Sequence, residues 1–284
     1  LLAAAVSSAL AGTFPGRPPL RPSPLAGIAP DDYAAYLELH RQLDDPDPGD
    51  TRDTILGRLE DLRLRAPELL EVHLAEARTA RYLLENTHDQ TYLQRALEAV
   101  RRAGEMAPRD PRCLLATFEV GLAAGDMKDA EQAIGELAEL VPGDPRVLGC
   151  RARLALRNGD VAGAVAHLRR QVELRPTWVG LWELADAETS AGLFTPALDD
   201  LARGLALAPG NRFLLSKSAE VELVHGDPAR AAELYAELAE RFPNPSYLGN
   251  LGVARLLGGD HEGALMAYLA AWRLAPEHAG VMLN

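Results

Sequence analysis

Seven prolines, Pro67, Pro108, Pro142, Pro176, Pro209, Pro243 and Pro276, follow one another at steps of 41, 34, 34, 33, 34 and 33 residues. A fixed period in this range marks an array of stacked units, each too small to bury its apolar face alone. An ordinary helical bundle keeps no such beat. Other residues keep it too. Ala96, Ala130, Ala164, Ala197, Ala231 and Ala264 fall twelve residues before a proline, and Gly125, Gly159, Gly192, Gly226 and Gly259 fall seventeen before one.

Between each of these glycines and its proline lies a stretch with apolar residues at helical spacing, such as Ala264, Leu265, Tyr268, Leu269 and Trp272. A second stretch precedes the glycine, such as Leu248, Leu251, Val253 and Leu256. Each unit therefore reads as a first helix, a short turn, a second helix and a stop. Glycine supplies the positive φ that ends the first helix, and the Asp that follows four of the five caps the second. Alanine lets the paired helices approach closely. Proline cannot continue the second helix. On this pattern Tyr268 and Trp272 are expected in the core.

These marks resemble the tetratricopeptide repeat, with Leu251-Gly252, Ala264-x3-Tyr268 and Pro276 in the last unit and Ala219, Ala231-x3-Tyr235 and Pro243 in the one before. Upstream the fit is looser: Phe118 takes a normally small position, and Val100, Ile134 and Leu168 replace the aromatic. The resemblance implies an all-α fold, a right-handed superhelical solenoid of stacked antiparallel helix pairs. The expected organisation is an apolar segment at 1–14, a proline-rich linker at 15–30 and a divergent first unit at 31–66. Six units follow at 67–277, the second of them elongated, and 278–284 begins a further helix.

Charge narrows the partners. All 41 acidic residues lie from Asp31 onward, against 27 of the 29 basic ones, so the array carries −14 within a net −12. A nucleic-acid partner would need a net basic face. Cys113 and Cys150 read as free thiols on the first helices of consecutive units.

Leu1–Phe14 is uncharged and shorter than the roughly 20 residues that span a bilayer. With no initiating Met, three readings stay open: the end of a transmembrane helix, the apolar core of a signal peptide with Ala9-Leu10-Ala11 as its cleavage site, or a helix packed on the first repeat. Six prolines in 15–30 make a stiff spacer. A tethered array on the extracytoplasmic, periplasmic side is the expectation. Arg17 and Arg21 speak for the cytoplasmic alternative.

The first unit has DDPDPGD in place of Gly-Asp, and the second carries about seven extra residues around Tyr82–Tyr92, read as an extended first helix with a turn at Asn86–Gln90. Apolar segment, proline-rich linker, divergent unit, elongated unit and regular repeats together resemble the C-terminal repeat region of bacterial membrane-anchored Ser/Thr protein kinases. No Gly-rich phosphate loop, HRD or DFG occurs in the sequence.

Catalytic and metal patterns fail on their spacing. His261-Glu262 starts like HExxH, but Leu265 holds the fifth place. Gly258-Gly259-Asp260 is a helix turn, and His88-Asp89 has no nucleophile placed beside it. The segment reads as a non-catalytic interaction module, with no cofactor and no metal; the alternatives are a region that orders substrate for a catalytic domain outside these residues, or a structural assembly scaffold.

Binding of a peptide or protein partner falls, by the resemblance, on the concave face lined by first helices. Aligning units on their prolines puts Arg112, Leu115 and Glu119 there, then Arg146, Arg153 and Arg157, then Trp182, Glu183 and Asp186. Phe213, Lys217 and Glu220 follow, and last Asn250 and Val253. Trp182 is the most specific of these, a groove tryptophan being a typical hot spot. The charges suggest a groove basic at its arginines and acidic around Trp182. The Lys and Asn that grip a C-terminal carboxylate in this family are absent, their places held by Leu115, Gly149, Trp182 and Ser216, then Glu119, Arg153, Asp186 and Glu220.

Overall fold

Each of the seven repeat prolines follows a residue held out of the helical region. Ala66, Ala107, Val141, Arg175, Ala208, Phe242 and Ala275 take φ between −130° and −148° and ψ between 63° and 91°. The proline ring crowds the preceding residue and disfavours its α conformation, so every second helix ends one residue early and its last N–H still reaches the carbonyl four back. The computed structural model describes residues 27–44 and 51–276. The apolar segment 1–14, the linker up to residue 26, residues 45–50 of the degenerate turn and the further helix at 278–284 lie outside the described residues.

Fourteen helices and no strand are found among the described residues. The chain divides after Val141 into two compact units. The first holds α1 (Pro30–Asp44), α2 (Arg52–Arg65), α3 (Leu70–Thr87), α4 (Thr91–Met106), α5 (Pro111–Ala124) and α6 (Met127–Leu140). The second holds α7 (Pro145–Arg157), α8 (Val161–Leu174), α9 (Trp178–Ser190), α10 (Phe194–Leu207), α11 (Arg212–His225), α12 (Pro228–Arg241), α13 (Pro245–Leu257) and α14 (His261–Leu274). Odd-numbered helices are the first members of their pairs and even-numbered ones the second. Ala29 accepts the N–H groups of Asp32 and Tyr33 in α1, and Pro30 occupies a first-turn position where no N–H is missed.

The spaced alanines lie where the pairs close. Five of the six are fully buried and Ala264 is nearly so. A Cβ built on Gly121 of α5 would sit 3.5 Å from the Ala130 Cβ of α6. In the last pair a first-helix glycine faces a ring instead of an alanine: a Cβ on Gly252 of α13 would meet the Tyr268 ring of α14 at 2.6 Å. Tyr268 is therefore packed within its own pair. Trp272, expected in the core, is 45% exposed. It stands one helical turn further along α14 than Tyr268, beyond the reach of that glycine groove.

Four of the five turn glycines, Gly125, Gly159, Gly192 and Gly259, take φ between 76° and 84°. Gly226 does not; its φ is −122°. The cause is Pro228. In two regular turns the first N–H of the second helix closes a tight turn over the Asp, Met127 to the Gly125 carbonyl at 3.2 Å and Val161 to Gly159 at 3.1 Å. Pro228 has no N–H to give and pushes Asp227 to ψ 113°, so the turn opens and Glu222 accepts the Asp227 N–H at 2.9 Å instead.

The elongated unit has the expected extended helix. α3 runs to Thr87, and His88 ends it with φ 59°, the one non-glycine with positive φ among the described residues. The extra turn has a packing role. Tyr82 lies under the Arg52 guanidinium at 4.3 Å, and Tyr92 at the start of α4 donates to Asp53 at 2.8 Å, so both brace the entry of α2. Cys113 and Cys150 are buried and belong to no disulfide, and burial pushes the Cys113 thiol up to about 11.

Candidate partner-binding clefts

In the first unit a cleft of about 480 Å³ opens over the odd-numbered helices. Tyr36 and His40 of α1, Glu71, Leu74, Arg78 and Arg81 of α3, and Arg112, Leu115 and Glu119 of α5 line it, over a floor of alanines and Val120. Every one of these residues comes from the first member of a pair. Side chains three and four apart stand on one helix face, so each helix offers a short stripe to the cleft. The charges are met locally. Arg112 donates to Asp110 at 2.8 Å and to Glu71 at 3.0 Å, and Arg81 to Glu85 at 2.6 Å. Burial, with Glu71 nearby, pushes the Tyr36 phenol up and keeps it a neutral donor.

The second unit has a cleft of its own, about 380 Å³, lined by Trp182 of α9, Arg212, Phe213, Ser216, Lys217 and Glu220 of α11, Asn244, and Tyr247 of α13. Phe213 stacks on Trp178 with centroids 6.3 Å apart and planes 11° from parallel, and the Arg212 guanidinium lies 5.0 Å from its ring. Lys217 ties α11 to α9. Its ammonium is 2.7 Å from Asp186 and 3.4 Å from Glu220, with only 11% of the side chain exposed. Burial pulls the ammonium down, but the two carboxylates outweigh it and the net direction is up.

The expected site residues thus fall into three sets. Arg112, Leu115 and Glu119 join the first cleft; Trp182, Phe213, Lys217 and Glu220 join the second. Asp186 reaches the second through Lys217. Asn250 is outside the lining of that cleft and is hydrogen-bonded to the buried Tyr235, whose phenol burial pushes up to about 12. Arg146, Arg153 and Arg157 of α7 line neither. Arg146 folds back on Asp144 at 2.6 Å, and Arg153 points a guanidinium nitrogen at the Cys150 sulfur 3.6 Å away. The basic and acidic halves expected of the groove do not stand as free charge, because Arg112 and Arg146 lie on carboxylates and Lys217 bridges two more.

Residues 151–212 and 217–279 match the family model described as tetratricopeptide repeat. Over those residues the chain carries tetratricopeptide repeats. No curated relative matches its sequence. Solved structures share the fold at low identity. YrrB, a tetratricopeptide-repeat protein with an unusual peptide-binding site, is 15% identical over 65% of this chain and 96% of its own, with a TM-score of 0.54. PilW, a widely conserved type IV pilus biogenesis factor, is 14% identical over 72% and 96%, with a TM-score of 0.59. A thermophilic tetratricopeptide-repeat protein of Thermus thermophilus, TTC0263, is 20% identical over 68% and 98%, with a TM-score of 0.57.

Sequence reasoning missed the α1 and α3 contributions to the first cleft, Tyr36, His40, Glu71 and Arg78, because the groove alignment began at the third unit. It also missed the capping role of Asp110 and Asp144. Each accepts the N–H of the arginine two residues on and then holds that arginine's side chain. The signal was there: Asp-Pro-Arg recurs at Asp110–Arg112 and Asp144–Arg146, and Asp before an N1 proline is a helix start.

Proposed function

We propose that these repeats form a non-catalytic protein-interaction module that binds an extended segment of a partner along its first-helix clefts. One observation carries the reading: each of the two compact units, separately, has a cleft walled by first members of pairs, with the cap residue Asn244 added in the second. A smaller cleft of about 310 Å³ in the first unit is lined by Arg63, Arg102 and Met106 of second members. The second cleft offers Trp182, Phe213 and Tyr247 as rigid amphipathic walls, suited to an apolar anchor residue. Around them the charge is balanced, so a ligand is held by packing and hydrogen bonds more than by net charge. In this reading residues 1–14 tether the module to a membrane, with the array on the extracytoplasmic side, and a kinase-type domain precedes residue 1. Membrane fractionation and the coding sequence upstream of Leu1 test those two points.

The binding face is tested with a photo-crosslinking residue placed at Leu115 or Phe213, on first helices, and at Gln94, Ala166 or Ala202, exposed on second helices. Crosslinks from 115 or 213 alone support the clefts. Crosslinks to the same partner from the second-helix positions alone overturn them.

A further inference from the structure

In the second unit two carboxyl groups lie buried together, away from the cleft. Glu188 of α9 is 1% exposed and Asp200 of α10 is 7% exposed. Arg169 of α8 donates to Glu188 Oε1 at 2.7 Å, and Arg203, one turn along α10, donates to Asp200 Oδ1. That leaves Glu188 Oε2 buried with no donor reaching it. The Asp200 carboxyl lies within hydrogen-bonding reach of the Glu188 carboxyl. An ionised carboxylate only accepts, so two of them cannot satisfy each other. A buried oxygen left in that state carries a desolvation penalty that folded proteins avoid.

We infer that Glu188 and Asp200 share one proton, Glu188 Oε2–H donating to Asp200, and that this proton fastens α9 to α10. No bond other than O–H is made or broken; the proton comes from water and returns to it. The groups facing Glu188 are Asp200 on α10 and Arg169 on α8, with Arg203 beside Asp200. Burial pushes the Glu188 carboxyl up; the Arg169 hydrogen bond opposes this and the Asp200 charge reinforces it. α9 is also the helix that carries Trp182 and Asp186, so the proton bears on the element that walls the second cleft. The inference does not depend on what that cleft binds.

The folded state then holds this proton to higher pH than the unfolded chain does. Its contribution is fully present below the ordinary glutamate range and is lost as pH rises through the raised value. In Glu188→Gln the amide N–H takes the proton's place toward Asp200, while Oε1 still accepts from Arg169. Melting the full chain and this variant from about pH 5 to about pH 8 should give a variant-minus-wild-type Tm difference that grows with pH. In Asp200→Asn the new amide donates to Glu188 Oε2, and the pH dependence due to Glu188 should likewise flatten. A Tm difference constant over that range in either variant overturns the shared proton. So does a carboxyl titration of the wild-type chain, followed by carbon-13 NMR, in which every glutamate has ionised by about pH 6.

Discussion

Lys217 of α11 reaches Asp186 of α9 at 2.7 Å while keeping Glu220 on its own helix within 3.4 Å. One cation therefore holds two carboxylates at the edge of the second cleft and joins two consecutive first helices. Replacing it by Met leaves Asp186 and Glu220 facing each other without a counter-charge. A loss of about 1 kcal/mol is expected in low salt, shrinking as salt screens the exposed carboxylates. Denaturant melts at two ionic strengths check it; a salt-independent loss would show that the Lys217 stem, not its charge, is what matters.

Ala164 and Ala231 are fully buried where second helices meet first ones. Leu at either position should overpack that contact and cost about 1–3 kcal/mol. An unchanged midpoint in both variants would mean the pair can open without penalty.

His88 and Gly125 end first helices with the same left-handed backbone, but only one of them is a glycine. His88→Gly should stabilise by up to about 1 kcal/mol, since the αL conformation costs a side-chain-bearing residue that much or more. Gly125→Ala should destabilise by a similar amount, although a Cβ there meets open space. Equal and negligible effects would argue that these turns relax freely.

Asp144 caps α7 by accepting the Arg146 N–H at 2.9 Å, and the Arg146 guanidinium holds its carboxyl below the usual range. Asp144→Ala should cost about 0.5–2 kcal/mol near neutral pH. The sign with pH follows from the depressed value: the stabilisation is present above the ordinary carboxylate pKa and disappears as pH falls through the lower one. Wild-type and variant melts should therefore converge in acid. A gap that persists there would assign the cap to shape alone.

The proline and alanine beat was sufficient to read the pairs, their order and the alanines buried between them, because those depend on backbone geometry that single residues impose; it did not place Trp272. The clefts were half legible. Leu115, Trp182 and Phe213 could be placed by counting from a proline. What Arg112, Arg146 and Lys217 do could not, because a long cation reaches whichever carboxylate the fold brings near, and Asp110, Asp144 and Asp186 are closer than any ligand. Glu188 escaped notice for the same reason: its partners Arg169 and Asp200 lie on two other helices. The turn at Gly226 departed from its siblings through Pro228, a residue whose missing N–H matters only once the neighbouring turns are seen to need one.

The residue before each repeat proline is Ala, Val, Arg or Phe, yet its backbone barely changes. The ring that follows dictates the angle, and the side chain that precedes it is free to vary. Such a joint is indifferent to what it joins. Excising residues 209–242 would splice Ala208 onto Pro243 with the local geometry of the original seam, and duplicating them would insert a unit just as cleanly. The proline that halts each helix is thus also the place where this gene can lengthen or shorten its product in whole units, with the cost confined to the faces newly brought together.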